Sequence, residues 1–206
     1  SPCTDSEQIC SAASSPLVGV RCLAPCPTIY KVGDTQVQGT DGWNSWTASC
    51  AMVSTYLLTS GTVKIKKDPS MPGELVIDRG ATSGDHNQHF LLSGGALEME
   101  DVTLTGGYGN SGGAIHMNTG SSPGTFTRIL FKDNTASTRG GAVYLQSSCS
   151  GTFISCSWNG NTAPANQVRN IYIRKFHISN RCSKNILQIF ASSSFKHFHC
   201  AHHSKI

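Results

Sequence analysis

The chain has 206 residues, enough for one domain with a real core, or one domain and a small appendage. Only 14% of its residues are charged while Gly (21), Ser and Thr are abundant, a balance that suits turn-rich β structure; no stretch approaches the roughly 18 apolar residues of a membrane-spanning helix. The net charge of +4 hides a break: residues 1–160 carry 9 Lys and Arg against 12 Asp and Glu, a net of −3, whereas residues 161–206 carry 7 and no acid, a net of +7.

Residues 1–40 are rich in Cys, Pro and Ser without any period, which predicts a loop-dominated cap. Five of the nine cysteines, Cys3, Cys10, Cys22, Cys26 and Cys50, fall in the first quarter and are disulfide candidates. They place the chain in an oxidising compartment, secreted or at the cell surface. Zinc is the rival reading, because Cys22 and Cys26 form a C-x3-C pair, but the other spacings fit no zinc module. Across residues 41–60, Trp43, Trp46, Met52, Val53, Tyr56, Leu57 and Leu58 recur at intervals of three and four. That spacing predicts a short amphipathic helix, or a linker, capping the open end of a stack of strands.

Residues 61–165 change to period two, with Val63 and Ile65, Leu75 and Ile77, Phe90 and Leu92, Leu97 and Met99, and Val102 and Leu104, which predicts strands. A longer period lies over this one. Gly112-Gly113-Ala114-Ile115 returns as Gly140-Gly141-Ala142-Val143, a shift of 28; Thr125 returns as Thr152 and Asn134 as Asn161, shifts of 27. Repeats of this length mark stacked units that bury their apolar faces only against one another. Laid over each other, the coils give columns: Val102, Ile129 and Cys156; Leu104, Phe131 and Trp158; Phe90, Ile115 and Val143; Leu92, Met117 and Leu145. Cys156 then reads as a small core residue, not a reactive thiol. Gly107, Asn134 and Asn161 share a turn column, where Asn tolerates left-handed backbone and can bond along the axis. Residues 166–206 have no glycine and hold five of the eight histidines, and read as a basic, His-rich tail or terminal cap.

The units GGAI, GTF and F-x-x-N-T-A at 113–136, and GGAV, GTF and W-x-x-N-T-A at 141–163, resemble the GGAI and FxxN repeats of the chlamydial polymorphic outer membrane proteins. They are similar also to the broader pectin-lyase-like class. Phe131 keeps the aromatic of the motif and Trp158 replaces it. The resemblance implies an all-β fold, a right-handed parallel β-helix of about four coils, here with a Cys-rich N-terminal cap and a basic C-terminal tail. It implies surface display and adhesion as the role, with a glycan or protein surface as ligand.

The stretch Gly107 to Gly113 contains two patterns associated with chemistry, G-x-G-x-x-G and G-x-S-x-G around Ser111. Both require a strand before and a helix after. A strand follows here, so these glycines are expected to be turns of the repeat. Acidic residues form the enzymatic alternative. With Leu97 and Met99 inward, Glu98 and Glu100 project outward about 6.6 Å apart, and Asp78 on the preceding coil is expected near them. Such carboxylates could act as acid and base in a polysaccharide lyase or glycoside hydrolase. The plainer reading is a solvated face, with Asp101 paired to Arg128 one coil later. No cofactor is expected, Ca2+ on the acidic face being the alternative. In the tail, His197, His199, Cys200, His202 and His203 are candidate metal ligands by type. Its basic character carries no interleaved stacking residues, so no nucleic-acid partner is expected.

Overall fold

The structure, a computed structural model, describes residues 9–11, 21–36, 39, 41–81, 87–146, 149–165 and 167–173. Near the N-terminus β1 (Ile9–Ser11) pairs antiparallel with β2 (Arg21–Leu23). Thereafter the chain winds. A first coil holds β3 (Asn44–Trp46), β4 (Cys50–Ala51) and β5 (Tyr56–Leu58), and a second holds β6 (Thr62–Lys67), β7 (Leu75–Asp78) and β8 (Phe90–Leu92). The third has four strands, β9 (Ala96–Glu100), β10 (Val102–Thr105), β11 (Tyr108–Ser111) and β12 (Ile115–Met117). Its counterpart in the fourth coil is β13 (Gly124–Thr127), β14 (Leu130–Lys132), β15 (Thr135–Arg139) and β16 (Val143–Leu145). A last layer contains β17 (Gly151–Ile154), β18 (Ser157–Asn159) and β19 (Ile171–Ile173).

Strands at the same place in each coil pair parallel, giving three five-stranded sheets. Sheet one runs β3-β6-β9-β13-β17, sheet two β4-β7-β10-β14-β18, and sheet three β5-β8-β12-β16-β19; β11 and β15 form a short fourth strip. The chain returns to each long sheet four times, so this is an all-β parallel solenoid of about four coils. The expected columns are present: Leu104 faces Phe131 and Phe131 faces Trp158, while Phe90, Ile115 and Val143, and Leu92, Met117 and Leu145, are in register. Period two follows from the pleat, with Val63, Ile65, Leu97, Met99, Phe126 and Phe153 buried inside sheet one. Aromatic rings deepen the stacking, Phe126 on Phe153 at 4.9 Å and Phe131 on Trp158 at 4.3 Å between centroids. Cys156 is partly buried against this core, a free thiol whose Sγ lies 3.3 Å from the Phe126 carbonyl; burial pushes its pKa up.

The helix expected across 41–60 is not formed; three short strands, β3, β4 and β5, occupy that range. Spacings of three and four arise because strands of two or three residues alternate with corners, and each corner resets the inward face. Trp46, Met52 and Leu58 point into the core, whereas Val53 and Leu57 are exposed.

Corners recur as strictly as strands. Asp101, Arg128 and Ser155, between sheets one and two, have φ of 57°, 53° and 52°, a left-handed backbone that non-glycine residues rarely adopt. Gly106, Asp133 and Gly160 do the same at the next corner, with φ of 68°, 50° and 65°. The left-handed residue is therefore the one before each asparagine, contrary to the expectation that Asn134 and Asn161 supply it. In the double glycines, Gly112 and Gly140 turn left-handed (φ 68° and 60°), while a Cβ on Gly113 or Gly141 would collide with the backbone of the next coil.

The asparagines make the axial bonds. Asn134 Oδ1 accepts from Gly107 N (3.0 Å) and its Nδ2 donates to Leu104 O (3.0 Å) and to Asn161 Oδ1 (3.1 Å). Asn161 Oδ1 also accepts from Asn134 N (3.1 Å), and its Nδ2 donates to Phe131 O (2.9 Å). One coil earlier the column has no side chain, because its residue is Gly107. The Ile77 carbonyl, in register with Leu104, is met instead by His89 Nε2 at 3.1 Å. Histidine and glycine are matched here, since a Cβ on Gly107 would lie 2.7 Å from His89 Nδ1.

At the N-terminal end, residues 24–32 lie across the first coil. Cys26 N donates to Ala51 O (2.9 Å) and Ala51 N to Ala24 O (2.8 Å), covering the edge of sheet two. Buried Asn44 accepts from Tyr30 N (3.2 Å) and donates to Tyr30 O and Lys64 O (both 2.9 Å). A disulfide joins Cys26 to Cys50, closing a separation of 24 residues. Zinc binding through Cys22 and Cys26 is thereby replaced, since Cys26 has a covalent partner. Cys10 and Cys22 are Cα partners between β1 and β2, and Cys3 lies outside the described residues.

Two outcomes are expected. Asn134→Ala leaves a buried N–H and C=O without partners and should lower stability by roughly 2–4 kcal/mol; Asn134→Asp should cost as much, because a carboxylate cannot donate to Leu104 O. Urea unfolding of each variant measures both. Reducing the Cys26–Cys50 bond, or replacing both residues by Ala, should cost about 2–4 kcal/mol, read as a lowered urea midpoint.

Candidate functional site

The acidic residues do not assemble into one group. Glu98 and Glu100 project from β9 on sheet one, and Asp78 ends β7 on sheet two, where it is the register partner of Thr105. Counting coils alone suggests a single face, but a corner and the length of a strand separate them. Each glutamate meets a cation from an adjoining coil: Glu98 lies 3.0 Å from Lys64 Nζ, its register partner, and Glu100 accepts from Arg128. Asp78 Oδ1 accepts from Gly80 N at 2.9 Å.

Arg128 also reaches Asp101, one coil back, through Nε (2.6 Å) and Nη2 (2.8 Å), the pairing expected of these residues. This bond holds the Asp101 carboxyl below the usual range, and Asp101 with Glu100 pushes the guanidinium up. Beside them is an open cleft of about 220 Å³ lined by Lys67, Glu74, Asp101, Thr103, Arg128 and Leu130. Its polar groups satisfy one another, Thr103 donating to Glu74 and Lys67 Nζ to Gly73 O at 2.7 Å. Because Arg128 and Asp101 are both more than one-third exposed, solvent screens their attraction. Arg128→Met should therefore shift stability by about 1 kcal/mol or less, measured by urea unfolding at low and at high salt.

Ser111 is not set up as a nucleophile. It ends β11 opposite Arg139, its hydroxyl is 2.8 Å from that of Thr138, and Gly112 leads on toward β12 with no helix among the described residues. Along this strip runs a polar ladder, Ser137 to Asn110 at 3.0 Å and Thr135 to Thr162 at 2.9 Å.

A feature that the sequence does not announce lies on the outer side of sheet three. Leu57, Leu91, His116, Tyr144 and Tyr172 are successive register partners, one per coil, between the buried columns of Phe90 and Leu92. His116 packs edge-on to Tyr144 at 4.9 Å, and Tyr144 stacks on Tyr172 at 5.5 Å with planes 13° apart. Arg139, from the adjoining strip, stands 5.3 Å over the Tyr172 ring. Burial lowers the His116 pKa, so its ring is neutral at neutral pH. Leu57 is 53% exposed at one end of the column, whereas Tyr144 within it is buried, 6% exposed, and His116 and Tyr172 are half-buried. The signal is legible only as alternate positions at shifts of 25, 28 and 28 from Leu91, and Leu, His and Tyr share no obvious chemistry.

Among the described residues no three His, Cys, Asp or Glu come together as a metal site. His197, His199, Cys200, His202 and His203 lie outside them. No helix among the described residues is long and apolar enough to cross a membrane. The fold places the chain among parallel β-solenoids with an aromatic outer column. No known family, curated protein or solved structure matches it.

Proposed function

We propose that this protein is a non-enzymatic recognition protein, secreted or displayed at a cell surface, that binds a glycan or protein surface along its lateral face. Tyr172 and Arg139, at the end of the His116–Tyr144–Tyr172 column on sheet three, carry this reading. Tyr144 is itself buried between His116 and Tyr172, so the contact left to a ligand is the partly exposed Tyr172 ring, with Arg139 over it and the hydroxyls of the neighbouring strip at the margin. The Cys26–Cys50 disulfide supports an oxidising compartment. The GGAI and FxxN units support a relationship in kind to polymorphic outer membrane proteins and other pectin-lyase-like β-helices, in which display and adhesion are the usual role. Against a polysaccharide lyase or hydrolase stands the separation of Asp78 from Glu98 and Glu100.

A glycan array and a cell-surface binding assay test the reading. Tyr172→Ala and Arg139→Ala should each weaken binding about tenfold, the scale of a peripheral interface anchor. Glu98→Gln and Glu100→Gln should leave it unchanged. Binding that ignores both sheet-three changes, or reducing ends released from a polysaccharide and lost in the glutamine variants, would overturn the reading.

A further inference from the structure

The substitution of histidine for asparagine in the axial column has a consequence at low pH. His89 is fully buried between the second and third coils. A carbonyl only accepts, so the bond to Ile77 O places the ring hydrogen on Nε2 and leaves Nδ1 as a lone pair. No described residue offers Nδ1 a hydrogen-bond partner, and it faces the space left by Gly107. Around the ring, the second and third coils are held by Arg79 N to Thr105 O (3.0 Å), Ala81 N to Gly106 O (2.9 Å) and Tyr108 N to Asn87 O (3.1 Å). One and two coils later the same corner is joined by Asn134 and Asn161, which do not titrate.

We propose that His89 makes the second and third coils separable by acid at this corner, while the coils beyond, joined there by asparagine, stay together. A proton from solvent adds to Nδ1, and the corner opens to hydrate the resulting buried cation. Desolvation is the main force against the charged ring, and holds its pKa at about 4. Asp78 and Arg79 of the second coil act on it in opposite senses, Asp78 favouring the charge and Arg79 opposing it, and the Thr105 carbonyl favours it. Thr105 and Gly107, its neighbours on the third coil, do not titrate.

The sign follows from linkage. A released histidine titrates near 6.5 and the buried one near 4, so between these values the open form binds more protons. The closed form is therefore at full advantage above pH 6.5 and loses it as pH falls toward 4. Between pH 7.5 and pH 5 the opening constant should rise roughly 25-fold.

Amide hydrogen exchange of the whole chain at pH 7.5 and 5, corrected for intrinsic rates, tests this. Arg79, Ala81 and Tyr108 should open about that much more at pH 5, while Thr135 and Thr162, bonded beside the asparagines, should not change. His89→Gln and His89→Asn keep a donor for Ile77 O without titrating and should abolish the rise. An equal rise in these variants, or no contrast between the two sets of amides in the unaltered protein, overturns the proposal. Should neither variant fold, that contrast in the unaltered protein, with the His89 ring followed by NMR, still decides: a ring that titrates near 6.5 while the three amides stay closed overturns it.

Discussion

A parallel solenoid exists only if the chain turns through the same angle at the same place in every coil. Strands can hydrogen-bond to the coil above and below only when the register returns intact, so the corners govern everything else. Here that constraint is met by left-handed residues, even where they are not glycine. Asp101, Arg128 and Ser155 adopt a conformation that disfavours L-residues by roughly 1–2 kcal/mol each. Nothing local recommends arginine or serine for that backbone. The strand bonding on either side imposes it, and the Asp101–Arg128 pair is a by-product of two corner side chains stacked one coil apart.

Once the corners are fixed, the interior has little freedom left. Inward positions of sheet one repeat as Met99, Phe126 and Phe153, those of sheet two as Leu104, Phe131 and Trp158, and ring stacking comes from the strand spacing itself. Polar atoms in that interior must be satisfied along the axis, which is why each asparagine bonds both to its neighbour's column and to a carbonyl of the preceding coil. His89 shows that the constraint is on the carbonyl, not on the residue type. Any buried donor that reaches Ile77 O completes the column, and the glycine opposite makes room for a larger one.

Much of the fold is legible in the sequence because repetition converts local chemistry into columns. Phe131 over Trp158 and Asn134 over Asn161 can be read from a shift of 27 alone. Legibility ends where repetition fails or where its meaning changes. Residues 41–60 mimic helical spacing because short strands and corners alternate there, and propensity has no means of telling that from a 3.6-residue period. His89 has no counterpart in the later coils, so no column points to it. Asp78 is expected beside Glu98 and Glu100 because position along the axis can be counted and position around it cannot. The outer column on sheet three repeats in place without repeating in kind, so Leu91, His116 and Tyr144 do not stand out as a set.

Interchangeability of coils sets how such a molecule can vary. Gly124 and Gly151, Thr125 and Thr152, and Phe126 and Phe153 are partners at a shift of 27. A gain or loss of one such period moves the chain by one rung and returns it to the same three faces. Smaller insertions are tolerated only between strands, as in the longer passage from Lys67 to Leu75 compared with the single corner residue at Asp101. The stack therefore lengthens in whole rungs and its corners vary residue by residue, while side chains on the outer faces change one at a time. An ancestral coil could be copied for its interior and then diversified on its exterior without either process disturbing the other.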